Sequence, residues 1–127
     1  MDKIIAIPLR EVNGVEFGMS RGEVRSVLGK AKEFRKTKFS KNTTDDFGYC
    51  HVFYDSNDRC EAIEIFNEVE VVVNDTVIFP SSIKVAQTVF KDLIEDEGCY
   101  ISAELAVGIT LDNDKMESIL FGTKGYY

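Results

Sequence analysis

A single histidine and three cysteines are the residues of this 127-residue chain whose types first suggest nucleophilic catalysis. His51 directly follows Cys50 in GYCHVFY, a segment rich in aromatic and β-branched residues. A Cys/His or Ser/His/Asp site needs the imidazole within hydrogen-bond reach of its nucleophile. Because successive side chains of a strand point to opposite faces, we expect Cys50 and His51 to lie apart. The pattern therefore predicts a satisfied or surface histidine and not a catalytic base.

Neighbouring carboxylates could serve as acid and base in glycoside hydrolysis, and two acidic runs occur, Asp45-Asp46 and Glu95-Asp96-Glu97. The chain has no tryptophan, and neither run is surrounded by the aromatic residues that form sugar subsites. The segment 112–117, DNDKME, begins as a calcium loop does but lacks the required glycine and terminal glutamate. Zinc-ligand spacings and glycine-rich phosphate loops are also absent. The sequence thus predicts no enzyme, no cofactor and no metal site.

The charge of the chain favours a basic protein as its partner. The net charge is −7, and it is unevenly spread. Residues 1–41 carry ten Lys and Arg against five Asp and Glu, whereas residues 42–127 carry five against seventeen. The acidic remainder disfavours nucleic acid and anionic membranes, because both would be repelled. The sequence leaves open what the basic segment 30–41 does.

Composition and cysteine usage predict one cytoplasmic domain over residues 1–127. The chain is 44 % hydrophobic and 29 % charged, as in soluble globular proteins. No apolar run approaches the 18 or so residues that a membrane-spanning helix needs. Arg10 and Glu11 interrupt the apolar N-terminal stretch, so we expect no signal peptide. An odd number of cysteines then indicates reduced thiols.

Two helices and several strands are predicted to position these groups. Residues 20–29 combine Ser20 and Glu23, the spacing of a capping box, with a closing Gly29. A second helical period covers 82–94. Segments 48–66 and 99–121 have the pattern of β-hairpins, and 69–79 suggests a further strand pair or a strand that leads into a turn. Segment 30–47 is expected to be a long loop or an irregular strand.

An internal repeat suggests that the chain contains two similar halves. NDRCEAI at 57–63 returns as NDKMESI at 113–119, 56 residues later. We therefore expect halves at about 10–68 and 69–122, each a helix followed by a β-hairpin. The predicted fold class is α+β, with the hairpins forming one antiparallel sheet and the helices packed on one of its faces.

One segment resembles a known family. GVEFGMSRGEVRSVLGKA, residues 14–31, is similar to the opening of the SmpA/OmlA (BamE) family, in which Gly-Met-Ser/Thr is followed by spaced Val and Leu-Gly. The residues that match that pattern are Gly18, Met19, Ser20, Val24, Leu28 and Gly29, and Ala31 stands where proline is usual. Duplication of such a unit resembles the β-lactamase inhibitor protein. The resemblance implies helices layered on an antiparallel sheet, and protein binding through the sheet.

The alternation of side chains in the two hairpins predicts the binding residues. If the 56-residue offset holds, one face is strongly apolar in the second hairpin and is expected to cover the helices. The other face would then be open, an apolar patch rimmed by charges, as protein-binding sites are. The predicted partner-binding residues are Val52, Tyr54, Glu61, Ile63, Glu117 and Ile119, with Asp45 and Asp46 as rim charges.

The lead interpretation is a cytoplasmic protein-binding module, an immunity or inhibitor protein that neutralises a basic toxin or another enzyme. One alternative is a structural homo-oligomer, such as a homodimer, that uses the same face on itself. A second alternative is a small-ligand-binding domain, which would require a pocket lined by Tyr49, His51 and Glu64.

Overall fold

The described part of the chain folds into two β-sheets and two short helices. The computed structural model describes residues 3–39 and 42–127. The strands that precede the first helix are β1 (Lys3–Ile7), β2 (Glu11–Val12) and β3 (Val15–Glu16). After helix α1 (Arg21–Leu28) come β4 (Lys32–Phe34), β5 (Thr44–Asp46), β6 (Cys50–Tyr54), β7 (Cys60–Ile65), β8 (Glu70–Val73) and β9 (Thr76–Phe79). Helix α2 (Ile83–Val89) is followed by β10 (Ile94–Asp96), β11 (Cys99–Ser102), β12 (Val107–Asp112) and β13 (Lys115–Gly122).

The larger sheet has eight strands in the order β10-β11-β12-β13-β7-β6-β5-β4. The smaller sheet has five, in the order β3-β2-β1-β8-β9. All pairs in the larger sheet are antiparallel, whereas β1 and β8 of the smaller sheet run parallel. Buried residues of both sheets and both helices form one hydrophobic cluster.

The α+β prediction of two helix-plus-hairpin repeats is wrong, because the chain is mostly β. Of the two possibilities for segment 30–47, a loop or an irregular strand, the structure shows short strands: the segment contributes β4 and β5. The second helix ends at Val89 instead of near residue 94, since the chain turns at Phe90, where the Leu93 N–H donates to the Phe90 carbonyl at 3.1 Å. Its apolar period continues into this turn, where Phe90 and Leu93 are still buried. Periodicity identified buried residues there, but not their backbone conformation.

The order of elements is the same in the two halves of the chain. A two-stranded hairpin, a helix and a four-stranded meander occur as β2–β3, α1 and β4–β7, and again as β8–β9, α2 and β10–β13. The last strands of the two meanders, β7 and β13, pair in the middle of the larger sheet. Each unit is therefore larger than a helix with one hairpin, and the two units share both sheets.

Each meander also has a β-bulge at the same place. Phe53 pairs with Ala62 and Tyr54 with Cys60, which leaves Glu61 as the extra residue. In the second meander, Thr110 pairs with Ser118 and Leu111 with Met116, which leaves Glu117 extra. A bulge interrupts the alternation of side chains, so the residue that precedes each bulged glutamate lies on the opposite face from the one that strict alternation predicts. Cys60 and Met116 are consequently buried in the core.

Candidate functional site

Asp45 is the centre of a buried ionic network between α1 and the larger sheet. Its carboxylate is fully buried and accepts hydrogen bonds from Arg21 Nη1 at 2.9 Å and from Arg25 Nη2 at 2.7 Å. Arg25 Nε and the Tyr54 hydroxyl donate to its other oxygen at 2.9 and 2.8 Å. Short hydrogen bonds to an ionised group are stronger than neutral ones. The network therefore holds α1 against β5 and β6.

Further acidic groups extend this network to the surface. Arg21 also binds Asp58, with its Nη2 2.8 Å from Oδ1, and its guanidinium lies 4.1 Å from the centre of the Tyr54 ring. Arg25 reaches Glu33 of β4 at 2.7 Å. Both arginines therefore bridge a fully buried carboxylate and an exposed one.

Electrostatics keep these carboxylates ionised. Burial by itself would raise the pKa of Asp45, but the hydrogen bonds from Arg25 and Tyr54 and the charges of both arginines lower it overall. The hydrogen bond from Arg21 lowers the pKa of Asp58, and that from Arg25 lowers the pKa of Glu33. Burial and the hydrogen bond to Asp45 raise the pKa of the Tyr54 hydroxyl. The geometry is that of a structural anchor, and the predicted rim charge at Asp45 is wrong.

The predicted open patch is also wrong, because its apolar residues lie in the core. Val52, Ile63 and Ile119 are 0 %, 2 % and 0 % exposed, and Tyr54 is 6 % exposed. They occupy the face of the larger sheet that packs against the smaller sheet and the helices. The prediction is wrong because β6 and β7 carry buried apolar residues on both faces, so alternation alone does not show which face packs against the rest of the molecule.

The charged members of the prediction remain accessible. Asp46 lies near the histidine, with its Oδ1 3.8 Å from His51 Nε2. Glu61 is partly buried at its bulge, and Glu117 is exposed at the matching one. Ile119, which the sequence placed beside Glu117 on an open surface, lies in the core. Partner binding by Asp46, Glu61 and Glu117 stays a prediction.

The other face of the larger sheet, which we call the outer face, has an aromatic cluster around His51. The imidazole lies 4.9 Å from the Phe34 ring, 4.6 Å from the Phe66 ring and 6.4 Å from the Phe53 ring, measured between centroids. His51 pairs with Glu64 on the next strand. Phe34, His51, Glu64 and Phe66 are all half-buried. The outer face thus presents aromatic and charged groups together.

Two C-terminal tyrosines pack on the same face. A Cβ atom added to Gly108 would lie 2.0 Å from the Tyr127 hydroxyl, and one added to Gly122 would lie 2.7 Å from Tyr126. These strand glycines therefore leave room for the tyrosine rings. Burial raises the pKa of Tyr127 to about 12. Glycine inside a strand is the sequence signal that indicates such a close approach.

A cleft lies at one edge of the outer face, beside the Glu61 bulge. Its volume is about 440 Å³. Its lining residues come from the 36–44 segment, the β6–β7 hairpin and the C-terminal tail: Lys36, Asn42, Thr43, Thr44, Phe53, Tyr54, Asp55, Ser56, Glu61 and Tyr126. Burial and the neighbouring Asp55 carboxylate raise the pKa of Glu61.

The pocket expected for a small ligand is not formed by its three predicted residues. The Tyr49 hydroxyl accepts a hydrogen bond from Asn13 Nδ2 at 3.0 Å and lies beside Ile4 and Leu28. His51 and Glu64, in contrast, lie on the outer face. Tyr49 is therefore separated from the other two residues.

Comparison of the chain with protein-family models, curated proteins and solved structures gives no significant match. Within residues 3–39 and 42–127, no three His, Cys, Asp or Glu side chains are grouped as ligands of a metal ion would be. In the same ranges, neither helix has the length and apolar character required to cross a membrane.

Proposed function

We propose that the chain is a protein-binding module, an inhibitor or immunity protein that uses the outer face of the eight-stranded sheet to capture a basic enzyme or toxin. The observation that carries this proposal is the half-buried aromatic cluster of Phe34, His51 and Phe66 on a sheet face whose opposite side forms the core. Aromatic residues are enriched at the centres of protein interfaces, where they bury a large area for few rotatable bonds.

The surroundings of the cluster favour a protein as the ligand. Leu120 and Ile101 continue the apolar surface across β13 and β11, and both are half-buried. Glu64 and Asp46 add carboxylates beside the rings. An apolar centre with charges around it is the arrangement of a protein interface. The net charge of −7 would accelerate encounter with a basic partner.

A cytoplasmic site of action belongs to the same proposal. Cys50 and Cys60 are free thiols in the core, and Cys99 is a free thiol on β11. Free cysteines are usual in a reducing compartment.

Capture from an extract of the source cells tests the proposed surface. The bait is the intact chain, compared with Leu120→Glu on the outer face and with Ile5→Glu on the smaller sheet, where Ile5 is 65 % exposed. We expect one basic protein to be retained by the wild type and by Ile5→Glu, and to be lost with Leu120→Glu. The retained protein, once purified, should lose its activity when the chain is added.

Retention that is equal for all three baits would contradict the proposal, and so would a retained enzyme that stays fully active in complex. Light scattering at two concentrations tests the self-association alternative. A dimer that Leu120→Glu dissociates would assign the outer face to a second copy of the chain instead.

A further inference from the structure

The cleft beside Glu61 already holds a positively charged group. The Lys36 ammonium lies 4.6 Å from the centre of the Phe53 ring. Its charge also acts on the Glu61 carboxylate, whose pKa it lowers against the larger effect of burial. A cation over an aromatic face and near a carboxylate is attracted by both. The position of Lys36 therefore indicates that this cleft suits a cationic group.

The Glu61 carboxylate is a hydrogen-bond acceptor of the cleft that is not engaged by another described side chain. Asp55, the other acidic residue of the lining, is engaged in its own turn: its Oδ1 accepts the N–H groups of Asn57 and Arg59 at 2.8 and 3.0 Å. The Asn42 side chain donates to the Asp55 carbonyl. In the part of the chain that the structure describes, the Glu61 carboxylate makes no hydrogen bond or salt bridge, whereas the backbone carbonyl of Glu61 accepts the Thr123 N–H at 3.0 Å. Glu61 can therefore bind a cation without the loss of a structural contact.

The remaining lining suits the flat, extended shape of an arginine side chain. Phe53 and Tyr126 supply ring surface, and Thr43, Thr44 and Ser56 supply hydroxyl groups. A guanidinium stacks on aromatic rings and forms two parallel hydrogen bonds with a carboxylate, which an ammonium group cannot do. An arginine side chain would therefore make more favourable contacts in this cleft than Lys36 does.

We propose that the cleft receives an arginine side chain of the partner protein, stacked on Phe53 and paired with Glu61, and that this arginine displaces Lys36. The inference rests on the proposed function, because it identifies the anchor by which the partner is held at the edge of the outer face. The proposed ion pair with Glu61 also explains why the partner should be basic, in addition to the net charge of the chain.

Titration of the intact ¹⁵N-labelled chain with N-acetyl-arginine methylamide tests the cleft directly. We expect amide shifts at Phe53, Glu61 and Tyr126, and no such shifts with the uncharged citrulline analogue at equal concentration. Glu61→Gln should weaken binding about tenfold, which corresponds to one charge-assisted hydrogen bond. This variant should fold, since burial disfavours the charged form of Glu61 in the folded protein.

Two further variants complete the test. Lys36→Ala should tighten binding of the arginine probe, because the competing cation is removed. Glu117→Gln is the matched control: it removes the glutamate of the equivalent bulge, which does not line the cleft, and should leave binding unchanged. Equal binding of the citrulline probe, or weaker binding to Lys36→Ala, would overturn the inference.

The two proposals can fail separately. If extract capture retains a partner through the outer face but the arginine probe produces no shifts in the cleft, the cleft assignment is wrong and the binding surface stands. If the probe binds as expected but no protein is retained, the cation site stands and the partner-binding function is wrong.

Discussion

Asp45 is the residue on which the first half of the molecule depends most. A fully buried carboxylate is costly unless it is paired and hydrogen-bonded, and four donor atoms satisfy this one. Within the described chain, no buried side-chain nitrogen or oxygen lacks a hydrogen-bond partner. Because its members lie on α1, β4, β5 and β6, the network orients the helix as well as stabilising it.

The hydroxyl group of Tyr54 should contribute more to the free energy of unfolding than that of Tyr49. Tyr54→Phe removes a donor to an ionised carboxylate, and we expect it to lower the free energy of unfolding by about 1.5–3 kcal/mol. Tyr49→Phe is the control, since it removes a neutral hydrogen bond to Asn13 and should cost about 0.5–1.5 kcal/mol. Urea unfolding measures both, and equal losses would mean that the charge of Asp45 adds nothing.

The same network should make the protein sensitive to acid. The pKa values of Asp45, Asp58 and Glu33 are lower in the folded protein than usual, so the unfolded chain takes up protons first. Their contribution is complete above the unfolded values, near pH 4, and is lost as the pH falls through the folded ones. Glu61, whose pKa is raised, acts in the opposite sense.

Comparison with Asp45→Asn isolates this effect. The variant should be less stable by about 3–5 kcal/mol at neutral pH, because two arginines lose their buried partner. It should also lose less additional stability than the wild type between pH 5 and 3, since the central carboxylate is absent. Urea midpoints at both pH values measure this, and parallel losses in the two proteins would be the contrary result.

Among the secondary-structure elements, α1 is short, and its stability depends on the residues that cap its ends. Eight residues are too few for a stable isolated helix, so caps and tertiary contacts must hold it. The predicted capping box is confirmed: the Ser20 N–H donates to Glu23 Oε1 at 2.9 Å, and Ser20 Oγ accepts the Glu23 N–H at 3.3 Å. Gly29 follows with a φ of +98°, which favours glycine.

Removal of the cap should therefore destabilise the protein measurably. We expect Ser20→Ala to lower the free energy of unfolding by about 0.5–2 kcal/mol. Ser26→Ala, in the same helix, removes only a bond to the Gly22 carbonyl at 3.0 Å and should be close to neutral. Thermal unfolding followed by circular dichroism compares them. A larger loss for Ser26→Ala would show that the cap is not what holds the helix.

The strand glycines should control the position of the C-terminal tyrosines. Gly108→Ala places a methyl group where the Tyr127 hydroxyl now lies, and the end of a 42 % exposed side chain can move away cheaply. We expect the Tyr127 ring resonances to shift towards those of an unstructured chain, with less than about 1 kcal/mol of stability lost. Gly22→Ala tests the specificity of this response, since nothing lies within 4 Å of the added atom and the φ of Gly22 is not positive. Unchanged Tyr127 resonances in Gly108→Ala would contradict the packing.

At the scale of the whole molecule, the two halves are joined at the centre of both sheets. β7 of the first half pairs with β13 of the second, and β1 pairs with β8. Phe121 faces Ile63 across the first of these junctions, and both are buried. A half separated from the other would expose this apolar surface. We therefore expect the two halves to fold together.

Phe121→Ala tests that coupling. It should lower the free energy of unfolding by about 3–5 kcal/mol, as loss of a buried phenylalanine does. Unfolding should nonetheless stay a single transition, with coincident near- and far-ultraviolet curves. Leu120→Ala on the outer face should cost less, because Leu120 is only half-buried. Two separated transitions in either variant would show independent halves.

The ends of helix α1 could be predicted from this sequence, whereas the buried face of the larger sheet could not. The Ser20 cap and the Gly29 stop were found because a helix end is specified by residues within one turn of it. Phe34 and Phe66 could not be predicted as neighbours, since they lie far apart in the chain and meet around His51 only on the assembled outer face. Val52 and Ile63 were placed on the wrong face for a related reason.

The sequence by itself determined the capped α1, the hairpins around residues 55–58 and 113–114, and the segregation of basic from acidic charge, because each depends on neighbouring residues or on composition. Only the tertiary structure decided which face of the larger sheet is buried. Strands that carry apolar residues on both faces leave that choice to whatever packs against them, here a second sheet formed from segments distant in the chain. The bulges at Glu61 and Glu117 also bring the preceding residues, Cys60 and Met116, onto the buried face, where strict alternation does not place them.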